Sequence, residues 1–326
     1  MNETVRALRQ QAVPVMPGEV PVRPGTPATD SAQPRLVVAI PTTGRPGILP
    51  ETVRAIARQD RLPDVVYISV ASLDDIGDLV PDSLPFPVEI LIGPKGATFQ
   101  RNLVIDHLRP ADILLLLDDD FLMAPDYLRQ TARLFERHPD VVLATGKVLA
   151  DGILGPGFDH AEGARRLEQG LDDPATPSID HIYAGYGCNM ALRAAPVLTA
   201  RLRFDEALPL YSWLEDVDFS RRLARYGRLV RAGAMRGVHL GTKTGRTPGI
   251  RHGYSQIANP VYLLRKGTIS RRHAAKLMSR NFASNLLRSF RPPPWVDYRG
   301  RLRGNLLAVL DVLTRRDSPA RILDMG

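Results

Sequence analysis

Three consecutive carboxylates, Asp118, Asp119 and Asp120, close a run of four leucines, Leu114 to Leu117. Four apolar residues without polar alternation read as a strand buried on both faces. A buried strand that ends in negative charge puts that charge at the carboxyl edge of a sheet, where open α/β folds bind their ligands. Side chains at i and i+2 of an extended segment point the same way. Asp118 and Asp120 are therefore expected to face one cation or phosphate-rich ligand. Asp119 is expected to point elsewhere and to tolerate replacement best. Hard cations such as Mg²⁺ or Mn²⁺ take oxygen ligands and bridge carboxylates to phosphates. A solvated acidic turn is the competing reading, and the neighbouring motifs decide between the two.

Three further stretches carry reactive groups. Gly93 to Asn102, GPKGATFQRN, is a glycine-containing loop that enters a helix and presents free backbone N–H groups, with Lys95 and Arg101 able to meet phosphate or a nearby aspartate. It lacks the spacing of a Walker A loop, which removes a P-loop reading of Asp118. Trp213 to Phe219, WLEDVDF, sets acids at a helix start amid apolar neighbours. A carboxylate there is either a cap or a base whose pKa the apolar surroundings raise. His239, in Val238-His239-Leu240-Gly241, follows a strand and gains a role only if it meets the other carboxylates.

The elements that must position these groups alternate. Strands are expected at Leu36–Ile40, Val65–Val70, Val88–Ile92, Ile113–Leu117, Val141–Ala144 and Tyr186–Leu192. Helices are expected at Glu51–Gln59, Thr98–Leu108, Tyr127–Arg137 and Trp213–Tyr226. Such alternation predicts an α/β fold with a mostly parallel central sheet flanked by helices. Asp151 to Asp180, rich in Gly, Asp and Pro, reads as a functional loop. Beyond Ile250 the pattern turns helical, and Leu302, Leu306, Leu307, Leu310 and Leu313 form an apolar stripe beside a basic face.

In this order the motifs resemble family 2 glycosyltransferases of the GT-A fold. The resemblance rests on the first strand with Pro41-Thr42-Thr43, the Gly96–Asn102 segment, the aspartate triplet as a DxD motif, Gly187-x-Asn189-Met190, Glu215-Asp216 and His239. It spans roughly residues 36–241. It implies inverting, metal-dependent sugar transfer from a nucleotide-sugar, with a UDP-sugar the first expectation and dTDP- or GDP-sugars as alternatives, to a glycan or lipid-linked acceptor in polysaccharide or cell-envelope glycan synthesis. By the resemblance, Asp216, with Glu215 beside it, supplies the general base. Asp118, Asp120 and His239 hold Mn²⁺ or Mg²⁺. Pro41, Thr42, Thr43, Arg45, Lys95, Gly96, Arg101, Asn102, Asp118 and Asp119 line the nucleotide-sugar site, and Gly187, Asn189 and Trp213 the acceptor side. One departure stands out. The family's base-reading aspartate at the end of the second strand is missing at Val70-Ala71-Ser72, and acids come only at Asp74 and Asp75. Either the loop is shifted or base recognition differs.

The rival enzymes fit less well. A phosphatase-type aspartate nucleophile site wants Thr or Val where Leu122 stands. A sugar nucleotidyltransferase wants a glycine-rich loop in place of Pro41-Thr42-Thr43-Gly44-Arg45-Pro46. A non-enzymatic membrane or nucleic-acid binder on a degenerate GT-A scaffold leaves the ordered acids unexplained.

The 326 residues suffice for such a domain plus an extension, partitioned as a disordered Pro-rich segment (1–34), a catalytic domain (35–250) and a basic helical extension (251–326). Residues 1–34 lack the apolar core of a secretory signal. A single cysteine, Cys188, excludes an intrachain disulfide and cysteine zinc clusters and points to a reducing, cytoplasmic setting. From Phe219 onward lie 23 of the 43 Lys and Arg but only 4 of the 35 Asp and Glu. Anionic lipid headgroups, pyrophosphate ligands or nucleic acid would each answer that charge. With a transferase site in place, nucleic acid is not an expected partner, and attachment to the inner face of the cytoplasmic membrane is.

Overall fold

Leu36–Pro41 (β1), Val65–Val70 (β2) and Ile113–Leu117 (β4) are buried along nearly their whole length, as their unbroken apolar sequences require. The structure, a computed structural model, describes residues 34–174, 177–244 and 247–325. The rest of the segment expected to be disordered lies outside the described residues. With Val88–Ile92 (β3) at one edge, these strands run parallel in the order β3-β2-β1-β4. Alternate residues feed two separate cores. Val38, Ile40, Leu115 and Leu117 meet α1 (Leu49–Ile56) and α3 (Tyr127–Arg137) on one face. Val37, Ala39, Leu114 and Leu116 meet α2 (Ala97–Ile105) and α6 (Glu215–Leu223) on the other.

The sheet continues beyond β4 with a reversal. β8 (Asn189–Arg193) pairs antiparallel with β4 and with β6 (Val141–Asp151), and β6 then pairs parallel with β9 (Arg228–His239). β5 (Phe121–Met123) closes that edge against β9, with β7 (Ile179–His181) also on β9. Among the described residues the sheet has nine strands.

Two expectations need correction. The strand expected from Tyr186 begins only at Asn189. Tyr186-Gly187-Cys188 form a turn, closed by the Asn189 N–H donating to the Tyr186 carbonyl (3.0 Å). The Asp151–Asp180 stretch is not one loop. It contains α4, His160–Leu171. Asp159 caps this helix by accepting from the Glu162 N–H (2.7 Å), and Glu162 pairs with Arg165 and Arg166. Its stability comes from that cap and from seating Gly163 against Leu122 and Leu240, so few apolar residues announce it.

The last helices are α7 (Gly249–Lys266), α8 (Arg271–Ser289) and α9 (Tyr298–Leu313); the short α5 (Ala194–Thr199) precedes them. Leu263 and Ile269 pack with Leu208, Leu214 and Val217, which ties α7 to the start of α6. The expected leucine stripe of α9 is not its packing face. The inward face is Tyr298, Gly300, Gly304, Asn305, Ala308 and Asp311, and Leu306, Leu307, Leu310 and Leu313 are exposed. Glycines impose this choice. A Cβ on Gly304 would sit 2.1 Å from the Ile250 carbonyl oxygen, and one on Gly253 would sit 2.0 Å from that of Arg301. α7 and α9 therefore touch backbone to backbone, where leucines do not fit.

This contact makes an asymmetric prediction. Gly304→Val should cost about 3 kcal/mol or more, because backbone must move. Leu306→Ala should stay within about 0.5 kcal/mol. Urea denaturation of the two variants measures both.

Candidate active site

Strand ends set the first half of the site. β4 stops at Leu117, and the Asp118 N–H donates to the Cys188 carbonyl (3.1 Å). The chain then turns straight into β5, whose Phe121 is in register with His239 at the end of β9. That register carries Asp120 to His239: Asp120 Oδ1 lies 3.3 Å from His239 Nε2. The Thr242 N–H donates to Asp120 Oδ2 (2.8 Å). β6 ends at the same level, with Asp151 in register with His239. Asp151 Oδ1 is 2.9 Å from His239 Nδ1, and Tyr186 Oη donates to Asp151 Oδ2 (2.9 Å). Burial opposes charge on Asp120, but His239, Arg45 and the Thr242 amide overcome it and hold its carboxyl well below the ordinary range. Burial likewise opposes charge on His239, yet Asp120 and Asp151 push it up to about 10.

The second half sits at the start of α6. The Gly187 N–H donates to Asp216 Oδ2 (3.1 Å) and the Val217 N–H to Oδ1 (2.8 Å). Burial raises the Asp216 carboxyl above its ordinary value. Glu215 pairs tightly with buried Arg101. Burial, together with Asp216 and Asp118, raises Glu215 to about 8 against the pull of Arg101. Three non-glycine residues with positive φ, Leu210 (59°), Ser212 (53°) and Leu214 (74°), lead into this helix. Arg101 joins the halves. Its guanidinium donates to the Gly187 carbonyl (3.0 Å) and lies 3.4 Å from Asp118 Oδ1.

Asp119 is not the dispensable member of the triplet. It is 3% exposed, accepts from Thr42 Oγ1 (2.5 Å) and from Arg45 (2.7 Å), and its carbonyl accepts from Thr52 Oγ1 (2.6 Å). Its partner set fixes the loop after β1, and the same Arg45 nitrogen also lies 3.8 Å from Asp120 Oδ2. Asp118 is the more exposed residue, at 34% of its side chain. Pro41 is the last residue of β1, and Thr43 lies in the loop that follows, where its Oγ1 donates to the Thr42 carbonyl (2.7 Å). Gln100 ties the loop to β2 and α2, donating to the Thr42 and Ser69 carbonyls (2.7 and 2.9 Å).

Other candidates have different employment. Lys95 is exposed, and Gly96 is the N-cap of α2 with φ 141°. Asn102 bonds to Phe204 and Glu206, stapling α2 to that segment. Asn189 is fully buried, and its Oδ1 accepts from Thr145 and from the Gly146 N–H (2.9 Å), which locks β8 to β6. Trp213 is half-buried beside His252, and its carbonyl accepts from Asn259 (2.8 Å). The segment after β2 brings one of its two acids back to the strand end. A short 3₁₀ turn, Leu73–Ile76, folds Asp75 back, and its carboxylate accepts from the N–H groups of Gly44 (2.6 Å), Ala71 (3.2 Å) and Ser72 (3.1 Å). The loop is shifted, and a carboxylate does stand there. Sequence reasoning missed Asp151, Tyr186, Gln100 and Thr242. The register of two strand ends and a turn brings them in, and no local motif encodes that.

The residues fit a divalent cation. One ligand atom each from Asp118, Asp120 and His239 lies within 4.8 Å of the others. Asp120 Oδ1 is buried and accepts no hydrogen bond of good geometry. The carboxylates of Asp118, Asp119, Asp120, Asp151 and Asp216 face two guanidiniums and one imidazole, so the cluster has negative charge to spare even with Glu215 left out. Asp151 would fix the tautomer that leaves Nε2 free for the ion.

Residues 34–232 match the family model described as Glycosyltransferase like family 2. No curated protein matches the sequence. Solved structures do match. S. aureus TarS 1-349 in complex with UDP-GlcNAc aligns with TM-score 0.55 and 15% identity over 88% of this chain and 82% of that one. A further crystal structure of S. aureus TarS 1-349 aligns with TM-score 0.52, also at 15% identity and the same coverage. At this identity the likeness is one of fold: an α/β, GT-A-type architecture.

The geometry yields two expectations about stability. Asp119→Ala should cost about 2–3 kcal/mol, less than the roughly 3–5 of a fully buried pair because Arg45 reaches solvent, whereas Asp118→Asn should cost less than about 1 kcal/mol, because Asp118 is partly exposed and Glu215 and Asp216 still face Arg101. With Glu215 raised, the folded state binds more protons than the unfolded one, so this group's contribution falls as pH rises from about 4.5 to about 8. Glu215→Gln should flatten that part of the stability–pH curve, read from thermal melts without added ligand.

Proposed function

This chain belongs to glycosyltransferase-like family 2, and from that premise we propose that it moves a sugar, with inversion, from a nucleotide-sugar to a hydroxyl of a glycan or lipid-linked acceptor. It is a glycosyltransferase. The observation that carries the finer reading is the division of the site by Arg101, with Asp118, Asp120 and His239 on one side and Asp216 on the other. Displacement at a sugar carbon needs a base for the incoming hydroxyl and compensation for the departing diphosphate.

Asp216 takes the hydroxyl proton. Two backbone N–H groups aim its carboxylate, and burial makes it more basic than a surface aspartate. The acceptor oxygen then bonds to the anomeric carbon as the bond to the diphosphate breaks, its electron pair leaving with the phosphate. Glu215 is held by Arg101 and serves to position that cation. Asp118, Asp120 and His239 would hold Mn²⁺ or Mg²⁺, which supplies charge compensation for the diphosphate. Asp151 orients His239 for that task. Asp119 keeps Thr42 and Arg45, and with them the nucleotide-facing loop, in place. The base end of the nucleotide lies toward Asp75 and Gly44. A UDP-sugar is the first donor to test, since TarS is matched in complex with UDP-GlcNAc; dTDP- and GDP-sugars follow. Polysaccharide or cell-envelope glycan synthesis is the setting this chemistry suits.

A thermal-shift series of nucleoside diphosphates with Mn²⁺ or Mg²⁺ tests the nucleotide half, because saturating ligand at about 100 times its Kd stabilises by about 2.7 kcal/mol. Asp120→Ala should lose the shift. Asp216→Asn should keep it while sugar transfer, or slow donor hydrolysis, falls by roughly 10²- to 10⁴-fold. Full turnover by Asp216→Asn, or no shift with any common nucleoside diphosphate, would overturn the assignment.

A further inference from the structure

The outward face of α9 carries leucines that pack against nothing among the described residues. Arg299, Arg303, Leu306, Leu310 and Leu313 recur at helical spacing and are all exposed, Leu313 at 77%. α8 runs antiparallel beside it. Asn285 of α8 donates to Asn305 of α9 (2.7 Å), and Arg288 donates to Tyr298 (2.6 Å). These pairings set Leu286 and Leu306 on adjoining turns, and they bring the α8 end, with Leu287 at 72% and Phe290 at 74% exposure, to the start of α9. Large aliphatic and aromatic side chains are thus presented together at the surface, in excess of the scattered apolar residues any soluble protein shows. The cause lies in the fold: the glycine and asparagine face of α9 is spent on α7, so the leucines have nowhere inward to go.

The charge around this face has one sign. Residues 271–316 contain eleven Lys and Arg and two acids. Both acids are engaged elsewhere. Asp297 caps α9 by accepting from the Gly300 N–H (2.7 Å), and Asp311 is buried with Tyr254 and Arg321. An exposed apolar stripe set in net cationic charge matches a surface that is apolar below and anionic above. No described helix is long and apolar enough to cross a membrane. We propose that α8 and α9 dock flat on an anionic lipid bilayer, with Leu306, Leu310, Leu313, Leu287 and Phe290 entering the headgroup boundary and the flanking arginines on the phosphates. A second copy of this chain is a poorer occupant, because self-pairing would bring the two cationic rims together. The proposal is independent of the transferase reading.

The full chain should cosediment with phosphatidylcholine vesicles containing phosphatidylglycerol and much less with pure phosphatidylcholine. Leu306→Glu with Leu310→Glu should weaken binding at least tenfold, with circular dichroism and the melting temperature unchanged because both side chains are exposed. Arg299→Ala with Arg303→Ala should weaken it roughly fivefold per arginine removed, and added salt should mimic that loss. Equal binding to both vesicle types, no effect of the leucine variant, or a dimer in solution that the leucine variant dissolves without any vesicle binding would each overturn the proposal.

Discussion

A single buried cation organises the site. Arg101 lies under the sheet's carboxyl edge with Glu215, Asp118 and Asp216 around it and the Gly187 carbonyl as a further acceptor. A guanidinium cannot give up its proton under these conditions, so burial is tolerable only while carboxylates surround it. The converse holds too. Glu215 is buried with Asp216 half-buried beside it, and they can share one helix start because Arg101 neutralises part of their charge. This one side chain therefore fixes the distance between the aspartate triplet and the α6 acids, which are far apart in the sequence.

The second constraint is register. Asp120, Asp151 and His239 meet because β5 and β6 both pair with β9 and all three reach the same edge. Tyr186 reaches Asp151 from the turn before β8. The sheet thus converts strand pairing into a polar chain, Tyr186–Asp151–His239–Asp120. A one-residue slip of β9 would turn His239 to the opposite face and dismantle it.

Much of this was legible in residue order. Unbroken apolar runs identified the parallel strands, because nothing but burial on both faces explains Leu114 to Leu117. The carboxylates after them marked the sheet edge where the other acids gather, and the Glu215-Asp216 pair stood at a helix start as expected. What was hidden depends on long-range pairing. Asp151 and Thr242 carry no local signature, and α4 is held by a cap and a glycine contact more than by periodicity. Asp119 was misjudged because alternation along a strand says which way a side chain points, not what waits there; Thr42 and Arg45 wait there. Asp75 was displaced in sequence from the end of β2 yet returned to it by a 3₁₀ turn. The α9 leucines were read correctly as a stripe, but only the close approach of Gly304 to Ile250 shows that the stripe faces out.

The division of labour across Arg101 is the central claim, and anomalous scattering tests it most directly. Crystals soaked with Mn²⁺ and UDP, with data collected at the manganese edge, should show one strong peak bounded by Asp118, Asp120 and His239, with the diphosphate beside it and Asp216 free of metal. A peak held by Glu215 or Asp216, or UDP bound away from the Thr42–Arg45 loop, would contradict the account.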